Sequence, residues 1–148
     1  MIRTYYKSKI GNKNISENFK YKEFACKDGS DMFMLDADMI PIIQKFREYV
    51  TVAVPINSAY RTESYNKQIG GAEHSLHLKG QAFDIPYRST YKNLKNSIYN
   101  MGAFFNTLKV KGIIKYEWRI SHWLKKNWIS HNQLWKVFDI RKSPGSKI

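Results

Sequence analysis

Ser75-Leu76-His77-Leu78-Lys79-Gly80-Gln81-Ala82-Phe83-Asp84 joins a loop to a strand and carries two candidate metal donors. His77 and Asp84 stand too far apart for adjacent turns of one helix. They suit a ligand on a loop followed by a ligand on a strand, with Gly80 letting the backbone turn between them. From Gln81 to Pro86 the alternation predicts a strand, with Ala82 and Asp84 on one face and Phe83 and Ile85 on the other. Imidazole nitrogen and carboxylate oxygen are both ordinary zinc ligands, and a catalytic zinc site needs a third protein ligand and a position open to water. Taken alone, His77 also reads as a hydrogen-bonded or surface histidine, and Asp84 before Ile85-Pro86 as a strand-end turn former.

Outward from this stretch the pattern is that of an α+β domain. Ser58-Ala59-Tyr60-Arg61-Thr62 reads as a strand end running into a turn, and Glu63 to Ile69 as helical turns stopped by Gly70-Gly71. Asp38 is positioned to cap a helix that takes Pro41 in its first turn and carries Ile42, Phe46, Tyr49 and Val50 at helical spacing. Val52 to Ile56 reads as a short β-type run. Thr90 is placed to cap a second helix bearing Tyr91, Leu94, Ile98, Met101 and Phe105. Val110 to Ile114 and Trp118 to Trp123 read as further strands, and Asn18 to Phe33 as short extended pieces around the turn Lys27-Asp28-Gly29-Ser30. The expectation is one domain over residues 1–148, a small, largely antiparallel sheet with helices packed on one face and a loose tail from about residue 142.

Composition narrows the class. Of 148 residues, 43% are hydrophobic and 15% aromatic, which favours a folded globule over a disordered chain. No apolar run approaches a membrane span. Met1 to Asn14 is polar and basic without an apolar stretch, so the chain is expected to start in a cytoplasm and reach any external target by another route. The single cysteine, Cys26, excludes an internal disulfide framework and a multi-cysteine zinc site, and it reads as a small buried hydrophobe. A net charge of +13 attracts polyanions, whether nucleic acid or anionic wall polymers. No zinc-finger spacing, aromatic RNA-binding signature or basic helix gives the charge a specific nucleic-acid partner.

Ser75-x-His77-x-x-Gly80-x-Ala82-x-Asp84 resembles the zinc-binding signature of the D-alanyl-D-alanine metallopeptidases. Asn57-Ser58-Ala59-Tyr60-Arg61-Thr62, with Tyr65-Asn66 and Ile69-Gly70-Gly71, is similar to that family's segment before the metal loop. The family includes zinc DD-carboxypeptidases, D,D-dipeptidases and phage endolysins that cut peptidoglycan stem peptides. The resemblance implies a monomeric zinc peptidase acting on such peptides, with no membrane span. It makes His77 and Asp84 zinc ligands, and it sets Arg61 against the oxyanion that forms at the scissile carbonyl. Loss of such a donor typically costs about 2.7–4 kcal/mol in the transition state. Ser75 would bind substrate or orient the loop.

The family's third ligand is a histidine on a later strand. The resemblance points to His122, preceded by Gly112, an apolar strand and Tyr116, ahead of His131. A second alignment sets Val137-Phe138-Asp139-Ile140-Arg141 on the family's strand ending, with valine at the ligand position. His74 reads as exposed or supporting. The family's general base is an acid. Arg119 stands three residues before His122, leaving Glu117 as the candidate, which a strand bulge would have to re-aim. These departures set two other readings beside the enzyme: a cell-wall-binding module that lost a ligand or its base, and, from charge alone, a nucleic-acid-binding protein.

Overall fold

The computed structural model describes residues 1–88, 90–94, 98–110, 116–123 and 135–142, the last two segments by their backbone. Five strands and four helices are described: β1 Ile2–Tyr6, α1 Lys7–Ile10, β2 Met32–Asp36, α2 Ile40–Val50, α3 Glu63–Gln68, β3 Ala82–Pro86, α4 Ile98–Val110, β4 Tyr116–Trp123 and β5 Trp135–Lys142. They make the α+β fold that the sequence predicts, with its strands in two antiparallel sheets. β1 pairs with β2, and the other sheet runs in the order β3-β5-β4.

Helix α2 forms where the apolar spacing places it. Ile40, Ile42, Ile43, Phe46 and Val50 are buried, Pro41 occupies the first turn, and Thr51 ends the helix at φ 59° in the left-handed region. The cap differs from the expected one. Asp36, not Asp38, accepts from the Asp38 N–H at 3.3 Å, because a 3-10 turn over Ala37–Met39 precedes the α-helix.

Aromatic packing joins α2 to the chain beyond β3. Phe46 meets Tyr91 edge-on at 5.6 Å and stacks on Phe105 at 5.2 Å. Such pairs add about 0.5–1.5 kcal/mol each beyond the burial of their rings. Phe83 and Ile85 of β3 belong to the same buried cluster, so the opposite parity of β3, Ala82 and Asp84, is left for the site. This is the division of faces that the alternation predicts.

Three local expectations are corrected. Val52 to Ile56 is not a strand: Val54 and Ile56 are buried core residues on an irregular segment that includes Pro55. Val110 closes α4 instead of opening a strand, and residues 111–115 lie outside the described part. The helix expected from Thr90 is a 3-10 turn over Lys92–Leu94 followed by α4, although Tyr91, Leu94, Met101 and Phe105 are buried as the pattern requires. The expected loose tail, beyond Lys142, lies outside the described residues.

Candidate metal centre

His77 sits on a 3-10 turn, Leu76–Lys79, whose start is fixed by Ser75: its hydroxyl accepts from the His77 N–H at 3.3 Å. The turn ends at Gly80, φ 66°, where a side chain would be strained and a Cβ would lie 2.2 Å from the Met34 carbonyl oxygen. Glycine is therefore required both by the backbone angle and by the close crossing of β2. Asp36 N–H then donates to the Gly80 carbonyl at 2.9 Å, tying the loop to the end of β2.

On the other side of β3, the segment before α3 acts as a partial neighbouring strand. Asp84 N–H donates to the Ser58 carbonyl at 2.7 Å, and Asn57 N–H donates to the Asp84 carbonyl at 2.8 Å. This pairing delivers Ala59 and Arg61 to the site. Arg61 N–H donates to the His77 carbonyl at 3.0 Å, its Nε donates to Ser58 Oγ at 2.8 Å, and its Nη2 donates to Asp84 Oδ2 at 3.0 Å. The guanidinium is thus held by two partners, Ser58 and Asp84, with the Arg61 and Asp84 side chains each 7% exposed.

The histidine is oriented by the backbone. His77 Nδ1 lies 2.6 Å from the Ala59 carbonyl oxygen. A carbonyl only accepts, so Nδ1 carries the proton and, in the neutral ring, Nε2 keeps its lone pair. That Nε2 faces Asp84 Oδ2 at 3.5 Å. Two electron-pair donors at this distance repel unless positive charge lies beside or between them. Two ligands about 2.1 Å from a tetrahedral zinc stand about 3.4 Å apart, so the observed separation fits a ligand pair on one metal. Hydrogen bonding of the second imidazole nitrogen to a carbonyl is also the usual support of a metal-bound histidine. His77 and Asp84 therefore fit the metal. Among the described residues no group of three or more His, Cys, Asp and Glu side chains completes the set.

The C-terminal candidates are located by strand register. β5, not β4, lies beside β3, and one row runs Asp84–Asp139–Arg119. Glu117 pairs with Arg141, in the row of Ala82. His122 pairs with Lys136, one row past the end of β3, so its backbone is roughly 14 Å from that of Asp84 by ordinary sheet spacings. Val137 lies beside Pro86, two residues along from Asp139. His131 lies outside the described residues.

The loop before His77 has its own lock. Asn66, 4% exposed, donates from Nδ2 to the Ala72 carbonyl at 2.9 Å, and its own carbonyl accepts from Gly71 N–H at 2.8 Å. A Cβ on Gly71 would lie 2.0 Å from Asn66 Oδ1, so a side chain there would displace the Asn66 amide. Thr62 caps α3, accepting from Tyr65 N–H at 3.2 Å, and donates its hydroxyl to Asp28 at 2.6 Å. That bond holds the Asp28 carboxyl well below the usual range. Cys26 is buried and receives the Thr62 N–H at 3.5 Å, a structural role of the kind its sequence context suggests. Sequence reasoning gave no role to Ser58 or to the Ala59 carbonyl. Both lie in the Asn57–Thr62 segment, but a backbone acceptor leaves no side-chain signature.

A histidine, a carboxylate and an arginine thus converge at one buried site of an α+β chain. Residues 17–117 match the family model described as Peptidase M15, and the chain belongs to that family of metallopeptidases. No curated protein and no solved structure matches it. The match covers His77, Asp84 and Arg61, and it ends within β4, before His122 and Val137.

Proposed function

We propose that the chain is a zinc-dependent peptidase that hydrolyses D-amino-acid-containing peptides of bacterial peptidoglycan, as a carboxypeptidase or endolysin. The observation that carries this reading is the His77 Nε2–Asp84 Oδ2 separation of 3.5 Å, with Nδ1 committed to Ala59. When bound, zinc supplies a Lewis acid that polarises an amide carbonyl and acidifies water. The chain's own residues do the rest. His77 and Asp84 hold the metal, and Ser75 and Gly80 fix the turn that presents His77. Arg61, braced by Ser58, offers a guanidinium where negative charge develops on the carbonyl oxygen. The proposed third ligand is His122, with His131 the alternative because the His122 backbone lies roughly 14 Å from that of Asp84, and Glu117 is the proposed base. The wall is the proposed place of action, reached through a separate pore or as a phage-encoded protein. The charge of +13 favours residence among anionic wall polymers.

A second reading is favoured by the register. With β5 beside β3 and His122 one row beyond β3, the alignment that puts Val137 at the ligand position leaves the metal with two protein ligands. The chain would then be a wall-binding module. Digestion of purified peptidoglycan, scored by new amino and carboxyl termini, separates the two. The enzyme reading expects release by the wild type, and loss with His77→Ala and with one of His122→Ala and His131→Ala. Zinc binding without any release of termini contradicts it. Salt-sensitive, sequence-selective DNA binding that survives His77→Ala would favour a nucleic-acid role instead.

A further inference from the structure

A cleft lies between the end of α2, the irregular segment 53–55 and the residues after β3. Its volume is about 350 Å³, and none of His77, Asp84 and Arg61 lines it. Arg47, Arg88 and Glu23 line it together with the apolar Phe19, Val54 and Pro55. Opposite charges sharing a small cleft ordinarily pair, yet among the described residues no ion pair joins Glu23 to either arginine. Glu23 Oε1 accepts the Lys20 N–H at 2.7 Å at the start of the 3-10 turn Tyr21–Phe24, which holds the carboxylate to its own backbone. The cleft therefore carries positive and negative groups that are not paired with each other.

We propose that this cleft binds a small zwitterion, an amino acid or the charged ends of a short peptide, with its carboxylate toward Arg47 and Arg88 and its ammonium toward Glu23. A guanidinium suits a carboxylate through forked, charge-assisted hydrogen bonds. A purely anionic ligand would meet the Glu23 carboxylate, and a purely cationic one would meet two guanidinium groups. The volume is near the lower end of ligand pockets, about 300–1,000 Å³, which admits an amino acid or dipeptide and excludes a folded polymer. Phe19, 2% exposed, and Val54, 4% exposed, offer apolar wall for a small side chain. The assignment does not depend on the peptidase reading.

The test is a titration of the full chain, with and without zinc, followed by backbone amide NMR shifts. The probes are alanine, alanyl-alanine, N-acetylalanine and alaninamide. Saturable shifts at Phe19, Ala53 and Val54 are expected with alanine or alanyl-alanine, and the tighter of the two identifies the source as free amino acid or peptide. Blocking either charge, in N-acetylalanine or alaninamide, should weaken binding by about tenfold or more. Arg47→Gln, Arg88→Gln and Glu23→Gln should each do the same. Glutamine at position 23 keeps an acceptor for the Lys20 N–H, so the turn is retained, and an unchanged melting temperature confirms it. Equal binding of N-acetylalanine, absence of saturable shifts with both zwitterions, or shifts confined to the His77 loop would overturn the assignment.

Discussion

Arg61 donates to Asp84 Oδ2 at 3.0 Å, and this is the same oxygen that faces His77 Nε2 at 3.5 Å. In the proposed site a guanidinium and a metal would thus draw on one carboxylate oxygen. In the metal-free chain Arg61 supplies the positive charge that makes the buried His77–Asp84 contact tolerable.

Arg61→Ala should therefore destabilise the metal-free chain by about 3–5 kcal/mol, the usual cost of leaving a buried charge without its partner. Zinc should recover much of this, because a cation between Nε2 and Oδ2 replaces the lost one. Urea denaturation with and without zinc checks the idea. The midpoint of the variant should rise more on adding zinc than that of the wild type. Equal rises would show that Arg61 and the metal do not share the carboxylate.

Gly80 and Gly29 both lie at positive φ, 66° and 90°, but only Gly80 is crowded. Gly29→Ala should cost only the left-handed backbone penalty, about 1–2 kcal/mol. Gly80→Ala adds a clash with the Met34 carbonyl and should cost about 2–4 kcal/mol, with weakened zinc affinity because the His77 turn must shift. Denaturation of the two variants side by side checks this. Equal losses would mean that β2 gives way to the added methyl.

The site was legible where chemistry and spacing coincide. His77, Gly80, Ala82 and Asp84 carry a turn, an uncluttered strand and two donors in one short segment, and Arg61 follows from the resemblance upstream. The helix α2 was legible because its apolar stripe is regular. What failed were elements decided by tertiary context. Ile2–Tyr6 reads as part of a polar, basic terminus because four of its five residues are exposed, and only pairing with β2 makes it a strand. Val52–Ile56 has the β-branched residues of a strand, but here they fill core space from an irregular backbone. The role of Ala59 was invisible because it acts through its carbonyl.

Stability should depend on pH through the contact between the N-terminal amine and Asp36. The Met1 ammonium donates to Asp36 Oδ1 at 2.8 Å, and Gln81 Nε2, just after the His77 turn, donates to Oδ2 at 3.2 Å. Burial pushes the Asp36 carboxyl up, but these hydrogen bonds and the amine's charge outweigh it, leaving the carboxyl below its ordinary 3.8. The same bond, foremost, raises the amine above its ordinary 8.0. The depressed acid contributes stability above pH 3.8 that is lost as pH falls toward its folded value. The raised amine contributes below pH 8.0, and its share is lost as pH rises through its folded value. Melting temperatures of the wild type and Asp36→Asn should therefore differ most between these limits and converge on both sides. A pH-independent gap would show that the ion pair does not set the pH dependence.

The most direct measurement is zinc binding by equilibrium dialysis with metal analysis, on the wild type and His77→Ala. The wild type should hold about one zinc per chain, and His77→Ala should lose it while keeping its fold by circular dichroism. Zinc retained equally by both proteins would contradict the assignment of His77 and Asp84 as the metal pair.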